Sequence, residues 1–326
     1  MNRAALTGLV VAAAAVGAIE LAARAFVALS GAPAGMASNS GFVEPDPELV
    51  WRLKPQPAGP LATNRLGLRD GPYRADADFT VLLLGDSVAW GNGVLDTTKI
   101  FPSVLERTLA SRSGGSVEVI NASVPGYSTF QQVAWFERYG LALEPDVVVL
   151  QFCLNDVVER YRSLAPYGGG RTFLGVDTRT AAGGAFGWLL ARSNAFELVV
   201  RGAQRLARDY DEYLAVNLAV DSLSDENERA WQVVEGELAE LARLAREAGV
   251  PLVIAVAPYL FQVESPAFRQ PQDRVLAAAE RLGADSVDLL PAFAAAPVPP
   301  AVLFSDANHF SEAGHALAAT TLAAAL

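Results

Sequence analysis

The sequence predicts an α/β protein, a three-layer α/β/α sandwich around a mostly five-stranded parallel sheet. Two observations carry this. Short apolar, β-rich runs recur along the chain, and helical stretches alternate with them, the pattern of a parallel sheet covered on both faces. With 326 residues the chain is long enough to bury such a core.

The elements follow in order. "FTVLLLG" (79–85) reads as the first strand, about 98–112 as a helix and "VEVINA" (117–122) as the second strand. "FQQVAWFERYGLAL" (130–143) reads as a helix and "DVVVLQF" (146–152) as the third strand. After a long interruption, "ENERAWQVVEGELAELARLAREAG" (226–249) is an amphipathic helix ended by Gly249. "VPLVIAVA" (250–257) and "ADSVDLL" (284–290) are the fourth and fifth strands, and Ser311 caps a last helix that runs to the end.

Two segments precede this alternation. Residues 1–30 hold an uncharged stretch, "AALTGLVVAAAAVGAI" (4–19), behind Asn2 and Arg3. It is long for a signal-peptide apolar region and short for a spanning helix. Apolar residues continue at helical spacing through "ELAARAFVAL", which favours an uncleaved membrane anchor; the small residues of "ALSGAPAGMA" keep a cleaved signal peptide as the alternative. Either way, the positive charge ahead of the apolar run puts the rest of the chain outside the cytoplasm. Residues 31–78, rich in Gly, Pro and Asp, read as a linker and a loop-rich lead-in with at most a short hairpin. Residues 79–326 form the remaining domain, with an insertion at about 157–227.

A net charge of -11 argues against a nucleic-acid partner, which requires clustered cations. One cysteine, Cys153, leaves no intrachain disulfide to form, and with two histidines no metal-site spacing is present. Neither a metal nor another cofactor is expected.

Sites in such a sheet gather at the carboxyl ends of the strands. There the chain places "GDS" (85–87), "NASVPGYS" (121–128) and "CLND" (153–156), with "SDANH" (305–309) before the last helix. Ser87 could cap a helix, bind a phosphate or act as a nucleophile. The stretch lacks the Gly-Lys-Ser/Thr of a phosphate loop and the glycine spacing of a dinucleotide site. As a nucleophile Ser87 needs a base, an orienting acid and oxyanion donors. Asp306 and His309, three residues apart in one loop, can supply the first two, because a carboxylate that fixes one imidazole nitrogen leaves the other free to take a proton. The Gly126 backbone N–H, the Asn155 amide and the Ser87 N–H can face an oxyanion. Singly, Gly126 reads equally well as a turn glycine and Asn155 as a cap. His315 reads as a surface or core histidine, Asp86 and Asp156 as structural hydrogen-bonding residues, and Cys153 as a small core residue.

With these motifs the chain resembles the SGNH, or GDSL-type, serine esterase and lipase family. The resemblance spans roughly residues 79–326 and rests on "GDSVAWG", "NASVPGYS", "CLND" and "DANH"; Cys153 stands where the third block usually has glycine. It implies a flavodoxin-like sheet and a Ser87, Asp306 and His309 triad, with Gly126, Asn155 and Ser87 as the oxyanion hole. It also implies a metal-free route through an acyl-enzyme. The lead-in, "DPELVWRLKPQP" and "NRLGLR", is similar to members that carry an N-terminal membrane segment. The expected substrate is a small-molecule, glycan or lipid ester met outside the cytoplasm. Acyl transfer to a glycan hydroxyl, lipase or thioesterase activity, and a non-catalytic binding protein on the same fold are the alternatives. Residues 157–227 form either a lid, with Tyr161, Tyr167, Phe173 and Trp188 against the substrate, or an insertion packed on the core.

Overall fold

The computed structural model describes residues 15–25, 43–56, 58–59, 62–157, 172–173, 176–177, 195 and 225–326. Its centre is a sheet of five parallel strands, here β3 (Phe79–Gly85), β4 (Val117–Ser123), β5 (Val147–Cys153), β8 (Leu252–Ala257) and β9 (Asp285–Asp288), in the order β4-β3-β5-β8-β9. All residues of β4, β5 and β8 are buried, as runs without polar alternation require when helices cover both faces. Of the two edge strands, β4 is buried and β9 is the exposed and charged one, which guards its open edge.

Among the described residues, four longer helices and several short ones cover the sheet. Helix α2 (Phe101–Ser113) packs against α8 (Glu312–Ala323), while α3 (Thr129–Trp135) packs on α4 (Asp225–Ala248), and α4 in turn on α6 (Gln270–Leu282). Among the short helices are α1 (Ser87–Trp90), α5 (Leu260–Glu264) and α7 (Leu290–Ala294). On α4 the buried residues Ala230, Trp231, Val234, Leu238, Leu241 and Ala245 recur at helical spacing.

The helix expected over 130–143 is a composite. It is α-helical only through Trp135, widens to a π turn over Phe136–Gly140 and closes as a 3-10 turn over Leu141–Leu143. A side chain at Gly140 would sit 2.7 Å from Leu82 and Phe136, so the backbone lies against β3 at that point, and the π turn accommodates the approach. The lead-in contributes one antiparallel hairpin, β1 (Val43–Asp46) with β2 (Val50–Leu53). Within the long insertion the structure describes a two-stranded ribbon, β6 (Thr172–Phe173) with β7 (Val176–Asp177), besides residues 157, 195 and the start of α4. Tyr161, Tyr167 and Trp188 lie outside the described residues, as does most of the apolar run at 4–19. A helix covers 15–25, and among the described residues no helix is long and apolar enough to cross a membrane.

Because β3 lies between β4 and β5, the chain leaves it to one side first and to the other next. Its carboxyl end is therefore the switch point of the sheet, where an open α/β fold leaves a crevice. Ser87 stands two residues beyond Gly85, the last residue of that strand.

Candidate active site

The turn from β3 into α1 is shaped by what surrounds it. A Cβ on Gly85 would lie 2.8 Å from Gln151 Oε1, 2.9 Å from Ala89 Cβ and 3.0 Å from Ser123 Oγ, which leaves room only for glycine. Gln151, from neighbouring β5, accepts from the N–H groups of Asp86 (3.3 Å) and Ala89 (3.2 Å) and so caps α1 from outside. Asp86 caps it from within, accepting from Val88 N–H at 2.8 Å. The half-buried Ser87 is thereby held at the first position of a four-residue helix that Gly91 ends in the left-handed region, at φ 83°.

Asp306 and His309 come from a loop closed on itself. Phe304 and Phe310 pair as an isolated bridge, Ser305 N–H donates to His309 O at 2.8 Å, and Ser311 N–H donates to Leu303 O at 2.9 Å. The buried Phe310 ring anchors the loop on Phe293, with centroids 4.7 Å apart. Asp306 Oδ1 accepts from the N–H groups of Asn308 (3.2 Å) and His309 (2.9 Å), and the carboxylate also takes His309 Nδ1 at 2.8 and 2.9 Å. Since an ionised carboxylate only accepts, Nδ1 carries the proton and Nε2 the lone pair. Ser87 Oγ lies 2.8 Å from that Nε2. Burial works against the Asp306 charge, but the bonds from the His309 ring and the two backbone N–H groups outweigh it and hold the carboxyl down at about 2.

Hydroxyl, imidazole and carboxylate thus form one continuous chain, able to move a proton off Ser87. Asn155 joins it one step away: its Nδ2 donates to Asp86 Oδ2, a bond the sequence did not suggest. An amide nitrogen has two hydrogens, so one remains for a ligand. Gly126 sits at φ 78° in the turn Val124–Tyr127, behind Pro125, where Tyr127 N–H donates to Val124 O at 3.1 Å. Val124 N–H donates to Gly85 O at 3.2 Å and ties this turn to the end of β3.

Three residues outside the expected set complete the surroundings. Asn92 Nδ2 lies 3.3 Å from His309 Nε2. Buried Arg69, from the lead-in, donates to the carbonyls of Trp90, Gly91, Val94 and Leu95, and so holds the loop that bears Asn92. Gln151 is the outside cap already described. The sequence signal for Asn92 was its place between two glycines, both at positive φ, which present a polar side chain just after Ser87.

The other titratable candidates are structural here. His315 is fully buried, accepts from Phe101 N–H at 3.1 Å, and is pushed down to about 3, chiefly by burial and then by the Arg69 charge. Cys153 is buried at the end of β5, where burial and the carboxyls of Asp86 and Asp156 push its thiol well up. Asp156 accepts from Thr129 Oγ1 (3.0 Å) and Cys153 N–H (3.1 Å), which ties α3 to the end of β5.

Residues 83–317 match the model of the GDSL-like lipase/acylhydrolase family. The chain belongs to that family. It is therefore an ester-hydrolysing enzyme, and the matched segment contains the whole hydroxyl–imidazole–carboxylate chain. No curated protein matches it. Among solved structures it is similar to Axe2, an acetylxylan esterase from Geobacillus stearothermophilus, at 17% identity and a TM-score of 0.47 over 76% of this chain and 93% of that one. TesA matches at 16% identity and 0.46 over 74% and 95%. LAE5, an alpha/beta hydrolase enzyme from the metagenome of Lake Arreo, Spain, matches at 18% and 0.48 over 76% and 95%.

Proposed function

We propose that this acylhydrolase is a serine esterase that cleaves acyl esters of a carbohydrate outside the cytoplasm through a covalent acyl-enzyme on Ser87. The observation that supports it most is the chain from Ser87 through His309 to Asp306, with 2.8 Å at each link. Ser87 Oγ attacks the ester carbonyl as its proton passes to His309 Nε2. Asp306, already ionised and bonded to Nδ1, stabilises the imidazolium. The carbonyl oxygen becomes an oxyanion held by the N–H groups of Ser87 and Gly126 and by the second hydrogen of the Asn155 amide. As the C–O bond to the alcohol breaks, Nε2–H protonates the departing oxygen. Water then repeats the sequence: its proton goes to Nε2, its oxygen bonds the acyl carbon, and Ser87 leaves with the proton back on Oγ.

The location is read from the apolar run at 4–19 behind Arg3, which acts as an anchor or as a removed signal. Cell fractionation with sizing of the mature chain separates the two.

The deciding experiment treats the purified full chain with a fluorophosphonate probe and a short-chain activated ester, beside Ser87→Ala. Labelling and turnover that both disappear in the variant support the assignment. A folded wild type that does neither overturns it, and a variant that keeps both moves the nucleophile elsewhere.

A further inference from the structure

Asn92 meets the His309 nitrogen that must also reach the alcohol oxygen of an ester. Its Nδ2 is 3.3 Å from the same Nε2 that Ser87 Oγ meets at 2.8 Å. A neutral imidazole nitrogen has one lone pair, and two donors cannot both use it fully. The longer contact is the weaker one, so Asn92 is the group that gives way when another oxygen arrives. In the acylation step that oxygen belongs to the leaving alcohol, because Nε2 must come within hydrogen-bond reach to protonate it.

From this we infer that Asn92 is a specificity-determining residue of the alcohol subsite, where its amide hydrogen-bonds a second hydroxyl of a polyhydroxylated leaving group. This deepens the carbohydrate-ester reading and rests on it. The chemistry suits the role: an amide both donates and accepts, as a hydroxyl does, whereas a simple alkyl group offers it nothing and leaves it desolvated without a partner. The neighbouring wall is also polar, since Ser305 Oγ lies against Gly93, 2.8 Å from where a side chain there would begin. The position is held firmly enough to discriminate. Gly91 and Gly93 flank Asn92 at φ 83° and 88°, Asn92 N–H donates to Ser87 O at 3.0 Å, and Arg69 fastens the carbonyls on both sides.

The test compares two acetate esters that differ only in the alcohol, glycerol monoacetate and ethyl acetate, with the full chain and its Asn92→Ala variant. Both esters give the same acetyl-enzyme, so the ratio of their kcat/KM values reports the step in which the alcohol is still in place. The wild type should favour the polyol ester, and the variant should lose about tenfold of that preference, the size of one hydrogen bond. Fluorophosphonate labelling of Ser87 is measured alongside. A wild type with no preference, or a variant in which both esters fall equally, overturns the inference while labelling leaves the serine esterase reading standing. Loss of labelling in the folded wild type defeats both.

Discussion

The guanidinium of Arg69 lies 4.4 Å above the Trp90 ring and donates to the Trp90 carbonyl at 2.9 Å. It is buried, and its bonds run to main-chain carbonyls rather than to a carboxylate. A residue of the lead-in, ahead of the segment the family model matches, thereby holds the loop after Ser87 in place.

Replacing this cation by an apolar chain of similar length tests that function. Arg69→Met keeps much of the bulk over Trp90 but strands the carbonyls of Trp90, Val94 and Leu95, while that of Gly91 keeps Val94 N–H, so the fold should lose about 3 kcal/mol or more. Urea denaturation should give a lower midpoint at an unchanged slope. Turnover should also fall, because Asn92 and the Ser87 turn share the loop. An unaltered midpoint would mean that water replaces the guanidinium without loss.

Asn155 and Asp86 offer a second test. If the Asn155 amide faces the oxyanion, Asn155→Ala should lower kcat by about 10²- to 10³-fold with little change in KM. Asp86→Asn should act through Asn155. The present carboxylate accepts from Val88 N–H with one oxygen and from Asn155 with the other, whereas an amide must turn its own NH2 toward one of these donors. The expected result is a fall in kcat of at least tenfold, together with a loss of about 1 kcal/mol for the weakened cap. Wild-type turnover in Asn155→Ala would remove it from the mechanism.

Gly126 is constrained twice over. At φ 78° any side chain costs about 1–2 kcal/mol, and a Cβ would also press on Trp51 Cζ2 at 3.3 Å. Gly126→Ala should therefore destabilise the chain by about that amount and shift the turn whose N–H is assigned to the oxyanion. Trp51 fluorescence should change with it. A variant with native stability and rate would show that the turn tolerates both strains.

Much of this site was legible because its residues are scarce or their neighbours uniform. With two histidines in the chain, the one three residues after an aspartate in a loop stood out, and the largely apolar runs of β3 and β5, broken only by Thr80 and Gln151, located the strand ends. The rest depends on contacts between distant positions. Asn92 meets His309 across 217 residues, and Gln151 reaches the start of α1 across 62 and 65. Only the flanking glycines set Asn92 apart in the local sequence, and nothing there separates Gln151 from a solvated glutamine. Arg69 was hidden for a related reason: an arginine in a loop-rich segment ordinarily faces water, and only the carbonyls of a later turn draw this one inside. The widening of the helix over Phe136–Gly140 likewise goes with the close approach of Gly140 to Leu82, a contact that helix propensity does not register.

His315 links the fold to pH. Its ordinary value near 6.5 is depressed to about 3, chiefly because the ring is buried, so the folded state holds it neutral where the unfolded chain would bind a proton. The sign follows: stability is fully present above about pH 6.5 and falls as pH drops below it, by about 1.4 kcal/mol for each unit, until about pH 3. His315→Asn removes the titrating ring but keeps an acceptor for Phe101 N–H near the position of Nδ1. The variant should be less stable at pH 8, by about 1–3 kcal/mol, because the smaller side chain leaves a cavity. Between pH 6.5 and pH 4, however, it should lose distinctly less stability than the wild type. Urea denaturation across that range reads both effects, and parallel losses in the two proteins would assign the acid sensitivity to other groups.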